Sequence, residues 1–597
     1  MPATDSPIES QQFFDNSPPP LAALFLIKFD QKVGYTISWK QSLKDVPLEG
    51  VVEFKSLPSG LHNVKEDLVY FVQDQYAGIS AFINRPAGAE ERNAKFIAVG
   101  AMVRLGDGRL GRAWEHAGSL KDLAGQLVVH NDNLSPLEDY WDEHKAPSDS
   151  SGESSEDPIS PFTAAQRKVK AISSVSLTPS NQTLPSFHPA HTILEYLDTF
   201  GPLLFPLHRA ALLRKRILFI TPPPLKLTCE YVYDLAILSS LPNSLSSSLP
   251  LPSPSAARLQ PLFNVGIHDI PFLSKYAPVN GSQTVQPPAS EDLGLGWIAC
   301  TSDEILAMKP QLYDILIELP HPDKGRLSGT AKLHEKKEED WPILKRSDTG
   351  AVIKATQRDW RRYRTLRRAL SPLTRLSSTY KSDLRQTVEE PEEDDDEQAH
   401  LLYTHDRSSA NGTGDEEDSL RAGEERLVER ISWSALAYSS FMWWASAGEK
   451  EEGLQQEEEQ DIQLLDDLAE IARSAADSQG YHDDDEDDNT GTGESSAQNI
   501  GKAEVEMAII GYFHRITKEI FESCVEVLDE RDGEVEQNED EDDEDVVVFG
   551  SDELRRCGLD VWSEEARNFI KEFVALWFDR AVEVHAVSLE CCGVKVC

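Results

Sequence analysis

Cysteine is scarce in this 597-residue chain: there are seven, an odd number, and no two are spaced Cys-x-x-Cys. That excludes a disulfide framework and a zinc ribbon, and fits a reducing, cytosolic setting. Positive charge is also short. Lys and Arg number 58 against 103 Asp and Glu, a formal net charge of −45. Nucleic-acid binders gain affinity by neutralising phosphates with cations, so that class is excluded, as is general adhesion to anionic membranes. Met1–Pro20 has neither a basic start nor an apolar core, so no signal peptide is expected. Cys597 is the last residue and no cysteine stands four from the end, so no C-terminal prenylation is expected. The metalloprotease motif HExxH, the Walker A loop and the GxSxG elbow are all missing. Carboxylates abound, but in dense runs that fix no geometry for acid/base work. The sequence therefore predicts no catalytic residue, no metal and no cofactor.

What is present suffices for two to four domains, with 40% hydrophobic and 27% charged residues. Asp67–Val72 and Gly78–Asn84 are rich in β-branched and aromatic residues and flank the polar turn Gln73–Gln75, which predicts a hairpin. Phe96–Val103 is a further strand, as is Leu24–Asp30 with its continuation Val33–Trp39. Ser119–Val129 has a helical period. After a Ser/Glu/Asp/Pro linker, helices are expected over His191–Phe205, Leu207–Leu213 and Leu225–Leu241. Strands are expected over Arg216–Thr221, Leu262–Ile267, Gly296–Thr301 and Tyr313–Leu319. Helices alternating with apolar strands predict an α/β lobe with a partly parallel sheet. Asp461–Ala476, Val505–Leu528 and Glu564–Val582 read as amphipathic helices, and Val587–Val596 as a closing strand. The expected organisation is a disordered start (1–20), a first module (21–145), a linker (146–160), an α/β lobe (161–330) and a connector (331–385). An acidic disordered linker (386–428) and a helical C-terminal module (429–597), with acidic inserts at 482–499 and 533–546, complete it.

Five features invite a chemical reading. Gly106-Asp-Gly108-Arg-Leu-Gly111 matches G-x-G-x-x-G, but it follows the last strand of a meander rather than opening a βαβ unit. A tight turn into a strand around Leu110–Glu115 is expected instead. His188, His191 and His208 share one region but straddle Pro189, and packing roles outweigh metal binding. Lys354, Arg358, Arg361, Arg362, Arg364, Arg367, Arg368 and Arg375 surround Tyr363, Leu366, Leu370 and Leu373. This is an amphipathic helix over 354–375 with a cationic face, either docked on an anionic membrane or acidic partner, or packed on its own domain with the charge offset by acidic runs. Ser371 follows Arg367-Arg368 as a candidate phosphosite. Ile431–Gly448 is uncharged, but its serines and tryptophans favour a buried helix over a membrane span.

A resemblance covers several stretches. Val52-Glu-Phe-Lys-Ser56 with Ser59-Gly60, the hairpin of Val69-Tyr-Phe71 and Gly78-Ile79, and Val99-Gly100 resemble the N-terminal module of the LCHN-like DENN proteins. Gly201-Pro-Leu-Leu-Phe-Pro-Leu207 followed by Arg209–Ile217 resembles the start of that family's second lobe. The match runs over roughly 22–320, with a weaker one over roughly 430–597. The resemblance implies an α/β protein: a longin-like N-terminal lobe, then an α/β DENN lobe. It also implies a regulator of a Rab-family small GTPase that promotes GDP release in membrane traffic. The alternative is a non-catalytic Rab-binding scaffold or effector. The expected site is the cleft between the lobes, flanked by segments near Leu24–Trp39 and Leu203–Ile220, with no single contact residue assigned. The implied location is cytoplasmic, with peripheral contact to endomembranes through 354–375.

Overall fold

The computed structural model describes residues 18–30, 32, 34–57, 59–60, 64–86, 94–105, 111–130, 133–147, 184, 187–242, 244–245, 257–276, 296–320, 341–370, 426–430, 447–466, 494–535, 547–585, 590–591 and 594–595. Two compact units emerge, one of Met1–Leu57 with Lys65–Ser155, the other of Pro58–Val64 with Glu156–Cys597.

The first unit is an antiparallel sheet of β1 (Leu21–Asp30), β2 (Gly34–Ser42), β3 (Glu66–Gln73), β4 (Tyr76–Pro86) and β5 (Ala94–Arg104). Its order is β3-β4-β5-β1-β2, a longin-like arrangement. The β3–β4 hairpin turns on two residues, with Asp74 at φ 50° as a tight turn of this kind requires. Val33–Trp39 does not continue the first strand. It folds back as β2, pairing Phe29 with Tyr35 and Ile27 with Ile37. The segment Val52–Lys55 (α1) is a single helical turn. Helix α2 (Ala117–Val129) buries Leu120, Leu123, Ala124, Leu127 and Val128, the stripe its periodicity foretells. A further helix, α3 (Ser135–His144), packs near β1.

Two glycines in this sheet are there for space. Gly78 pairs with Phe71 across β3–β4, and Gly100 pairs with Phe25 across β1–β5. A Cβ on Gly78 would stand 2.1 Å from the Phe71 ring, and one on Gly100 would stand 2.2 Å from the Phe25 ring. Both rings are buried and cannot swing out to solvent. Gly100→Ala and Gly78→Ala are each expected to destabilise the first unit by about 1–3 kcal/mol through overpacking. Urea titration of each variant against the parent measures this, and an unchanged midpoint would refute it.

The expected strand around Leu110–Glu115 is not formed at its described end. Ala113–His116 is a 3-10 turn that leads into α2. The reason lies in His116, which is buried between two partners. Its Nδ1 lies 2.7 Å from the Tyr140 hydroxyl and its Nε2 lies 2.8 Å from the Pro19 carbonyl. Burial lowers its pKa to about 4, so the ring is neutral: Nε2–H donates to Pro19 and Nδ1 accepts from Tyr140.

The second unit is built on four short parallel strands, β6 (Ile217–Ile220), β7 (Gln260–Asn264), β8 (Trp297–Thr301) and β9 (Ile315–Glu318), in the order β9-β6-β8-β7. They are apolar runs because parallel strands are covered on both faces, and all five residues of β8 are buried. Strands β10 (Ile343–Arg346) and β11 (Val352–Ile353) add on antiparallel beside β9. The single helix expected over His191–Phe205 is broken at Gly201, φ 55°, into α4 (Ile193–Phe200) and a 3-10 turn before α5 (Leu204–Leu212). Helix α6 (Lys226–Leu238) covers β7 and β8.

The remainder of this unit is mostly helical. Helix α7 (residues 357–370) follows Ala355, which forms a parallel bridge to Val428. Then come α8 (Ala447–Gln463), α9 (Glu494–Val535), α10 (Ser551–Arg556) and α11 (Glu564–Phe578). The short parallel pair β12 (Val547–Phe549) and β13 (Val582–Val584) ties the last two helices together. The helix expected from Asp461 is in fact the end of α8, which stops at Gln463; 467–476 lie outside the described residues. The expected closing strand is a small hairpin, Glu590–Cys591 with Val594–Lys595. The insert expected at 482–499 is helical from Glu494, because α9 propagates outward from its buried stretch into polar residues. The acidic run 386–425 and the uncharged 431–446 lie outside the described residues, as does Ser371. Among the described residues no helix is long and apolar enough to cross a membrane.

Candidate functional site

Helix α5 is the place where the second unit converges, and all nine of its residues are buried. Its ring Phe205 stacks on Phe513 of α9 at 5.9 Å. One residue pair further on, His208 Nε2 lies 3.2 Å from the Thr517 hydroxyl of α9. Arg209 then makes two parallel bonds to Asp359 of α7, each 2.7 Å, with both side chains buried. Burial pushes the Asp359 carboxyl up, but Arg209 outweighs it and holds the group below the usual carboxylate range. The Trp577 indole of α11 donates to the Leu212 carbonyl at 3.2 Å, and the Arg214 guanidinium lies over that ring at 5.1 Å. From α6, the Ile237 carbonyl accepts from His514 Nε2 at 3.0 Å. This seam joins α5 and α6 to the C-terminal helices through apolar rings, ion pairs and hydrogen bonds in alternation.

The cationic helix is part of the same seam, packed on its own unit, the second of the two arrangements expected for it. Arg358 and Arg362 are buried. Arg362 donates to Asp461 of α8 from Nε at 2.9 Å and Nη2 at 2.6 Å, and lies over the Phe205 ring at 5.7 Å. Arg358 reaches the carbonyls of Arg555 and Leu559, each at 3.2 Å, and Gln460 at 2.6 Å. Arg361 pairs with Glu457, and Arg367 with Asp198. Only Arg364 and Arg368 remain exposed without such a partner on the described part of the helix. A membrane-facing cationic surface over 354–375 is thus not what the described residues form. The reason is that α8 carries matching carboxylates. Leu373 and Arg375 lie outside the described residues, and Lys354 precedes the helix.

The three singled-out histidines divide. The rings of His188 and His191 stand 6.4 Å apart, while His208 sits in the seam. His188 caps the turn at Pro189–Thr192 by accepting from Ala190 N at 3.2 Å, and its Nε2 is 3.3 Å from the Tyr233 hydroxyl. His191 pairs with the buried Glu506 of α9 at 3.2 Å. Among the described residues no cluster of His, Cys, Asp and Glu has the geometry to hold a metal. Of the G-x-G-x-x-G run only Gly111 is described, packed where a Cβ would lie 2.9 Å from Ala77; Gly106 and Gly108 lie outside the described residues.

In open α/β sheets ligands gather at the carboxyl ends of the strands where the order reverses, here the end of β6 between β8 and β9. That end carries Pro222, Pro223 and Pro224, and the chain's own Gly60 lies against Pro223, with 3.5 Å left for a Cβ. Its neighbour Ser59 bonds to Asp303 after β8. The place a small ligand would take is therefore lined by the protein's own backbone. Around it, the short helical turns after β7 and β8, Ile267–Asp269 and Glu304–Ala307 with its cap Met308, expose Ile267 (42%), Ile305 (54%) and Met308 (73%). Gly266 and Asp303 are neighbours, with 3.4 Å between a Cβ at 266 and the Asp303 carboxylate, so these apolar side chains come from adjoining turns. Such a surface suits a protein partner better than a metabolite.

The sequence pattern of the DENN domain-containing protein 11 family matches residues 24–326. The chain belongs to that family. A second pattern, a domain of unknown function (DUF4484), matches residues 428–547 and 536–597 of this DENN-family chain. DENN domain-containing protein 11 of Danio rerio is 29% identical over 301 residues, 50% of this chain and 53% of its own. The Xenopus laevis protein of that name is also 29% identical over 301 residues, 50% of this chain and 59% of its own. The chain thus aligns with little more than half the length of these two relatives. Uncharacterized protein ANR2 of Saccharomyces cerevisiae is 22% identical over 615 residues, 96% of this chain and 94% of its own. The DENN-family match spans the antiparallel sheet, the parallel strands and α4 to α6, and the DUF4484 match supplies α8 to α11. Of the expected flank Leu203–Ile220, helix α5 is buried and packs on the C-terminal helices, and β6 lies between β8 and β9. Sequence reasoning passed over the Ile267, Ile305 and Met308 surface. The available signal was three apolar residues in short turns, Ile267 beside Gly266, Ile305 beside Glu304 and Met308 beside Lys309.

Proposed function

We propose that this DENN-family chain binds a Rab-family small GTPase and promotes release of its GDP in intracellular membrane traffic. The family match over residues 24–326 carries the reading. Exchange needs no covalent catalyst. A surface that holds the nucleotide-free GTPase more tightly than the nucleotide-bound form shifts the population by that difference in affinity. The absence of a catalytic signature from the sequence is compatible with this. On the second unit, the exposed Ile267, Ile305 and Met308 are the proposed contact residues.

The test is capture of a full Rab panel, each member prepared GDP-bound, GTP-bound and stripped with EDTA. The expected result is selective capture of a stripped Rab, followed by faster GDP release in a kinetic assay. Ile305→Asp and Met308→Asp together are expected to weaken that capture at least tenfold while leaving the melting temperature unchanged, because both side chains face solvent. Capture of the GTP form alone would favour a scaffold or effector. Capture of no Rab in any state would end the proposal.

A further inference from the structure

The seam between α5, α6 and α9 carries two imidazoles whose surroundings are cationic. His208 of α5 touches Thr517 at 3.2 Å, and its ring is 5.2 Å from Phe513. Its charged neighbours are Arg209, Arg214 and His514. His514, on the α9 side, donates to the Ile237 carbonyl, and its charged neighbours include Arg258. Of the carboxylates, Asp359 is already engaged by two bonds from Arg209. About two turns earlier on α9 the surroundings are acidic, with His191 3.2 Å from the buried Glu506. The other acidic groups there are Glu195, Glu230 and Asp234.

We propose that the His208–His514 end of this seam is a proton-operated latch: acidification drives the C-terminal helices off α5 and α6, starting from that end. A proton added to either ring places a new cation among arginines in a water-poor seam, and the described residues named beside the two rings include no carboxylate. Detachment lets both rings ionise in water. The direction of each group agrees. Burial first, then Arg209 and His514, lowers His208 to about 3, and burial also lowers His514. Both folded values lie below the ordinary 6.5, so the closed form loses ground as pH falls below 6.5. Each histidine that is neutral when closed and charged when open reduces the closing equilibrium tenfold per pH unit. His208, lowered to about 3, contributes close to that full factor, and His514 adds to it in the same direction.

Hydrogen–deuterium exchange of the full chain from pH 7.5 to 5.0, corrected for the intrinsic pH dependence of exchange, tests this. Peptides over 204–212 and 513–528 are expected to lose protection together, by about tenfold or more per pH unit between 6 and 5. Peptides over β3 to β5 in the first unit should not follow. His208→Gln and His514→Gln, made singly, are each expected to reduce the slope. His514→Gln keeps a donor for Ile237 and guards against a variant that fails to fold. His130→Gln, an exposed histidine of the first unit, is the control and should leave the slope unchanged. Protection that is constant to pH 5, loss shared equally by the first unit, or an unchanged slope in both seam variants would overturn the proposal.

Discussion

A chain ending at residue 425 is expected to lose the cooperative unfolding of its second unit. Truncation removes Asp461 and with it both bonds from the Arg362 guanidinium. Arg358 loses Gln460 and two carbonyls at the same time. Phe205, buried under Phe513, and the Leu212 turn, covered by Trp577, become exposed. Each large apolar side chain returned to water costs about 2 kcal/mol. A loss of that size is a large share of the 5–15 kcal/mol that holds a typical domain together. Calorimetry of the 1–425 fragment should show no sharp transition for this unit, and co-expression with 426–597 should restore one. A fragment that melts as the parent does would show that the seam is dispensable.

Asp359→Ala is the point substitution with the largest expected effect. This carboxylate has two tasks. It takes both bonds from Arg209, and it accepts from the Thr356 amide at 2.9 Å while its own amide donates to the Thr356 hydroxyl at 3.1 Å. The second arrangement is a reciprocal cap on the first turn of α7. Losing the ion pair's acid leaves Arg209 buried and uncompensated, about 3–5 kcal/mol, and losing the cap adds about 1 kcal/mol. Replacing both partners with apolar residues, Arg209→Met with Asp359→Leu, should recover most of the first term and none of the second. A double-mutant cycle by urea denaturation separates them. A coupling energy near zero would mean that Arg209 finds another acid, and would remove the basis of the prediction.

Much of the sheet architecture was legible in the sequence. The β3–β4 hairpin shows in β-branched and aromatic residues around a polar turn. The strands β6 and β8 show as apolar runs too short for helices, bounded by Pro222 and by Ser302-Asp303. What stayed hidden was how deep the cationic residues of α7 lie. The apolar spacing of Tyr363, Leu366 and Leu370 gives a helix, but the buried face is wider than that stripe and takes in Arg358, Asp359 and Arg362. Nothing local reveals this, because the acids that make it tolerable lie far along the chain, at Asp461 and Asp560. The Val33–Trp39 error was of the same kind. A strand pattern reports pleat and burial, and whether it continues or reverses depends on Gly34, φ 92°. The candidate surface was harder still, since exposed apolar residues in short turns carry no periodicity.

The bridge between Ala355 and Val428 fixes where the chain re-enters the unit after residues 371–425. The return point lies one helix length from where α7 ends, on the order of 20 Å for its four turns. Closing a connection between two such anchors depends on its length only logarithmically. Doubling or halving it alters stability by about 0.6 kcal/mol, well below the cost of a single lost seam contact. The residues on either side of 371–425 are thus held to their places by contacts within the unit, not by the segment that joins them in sequence.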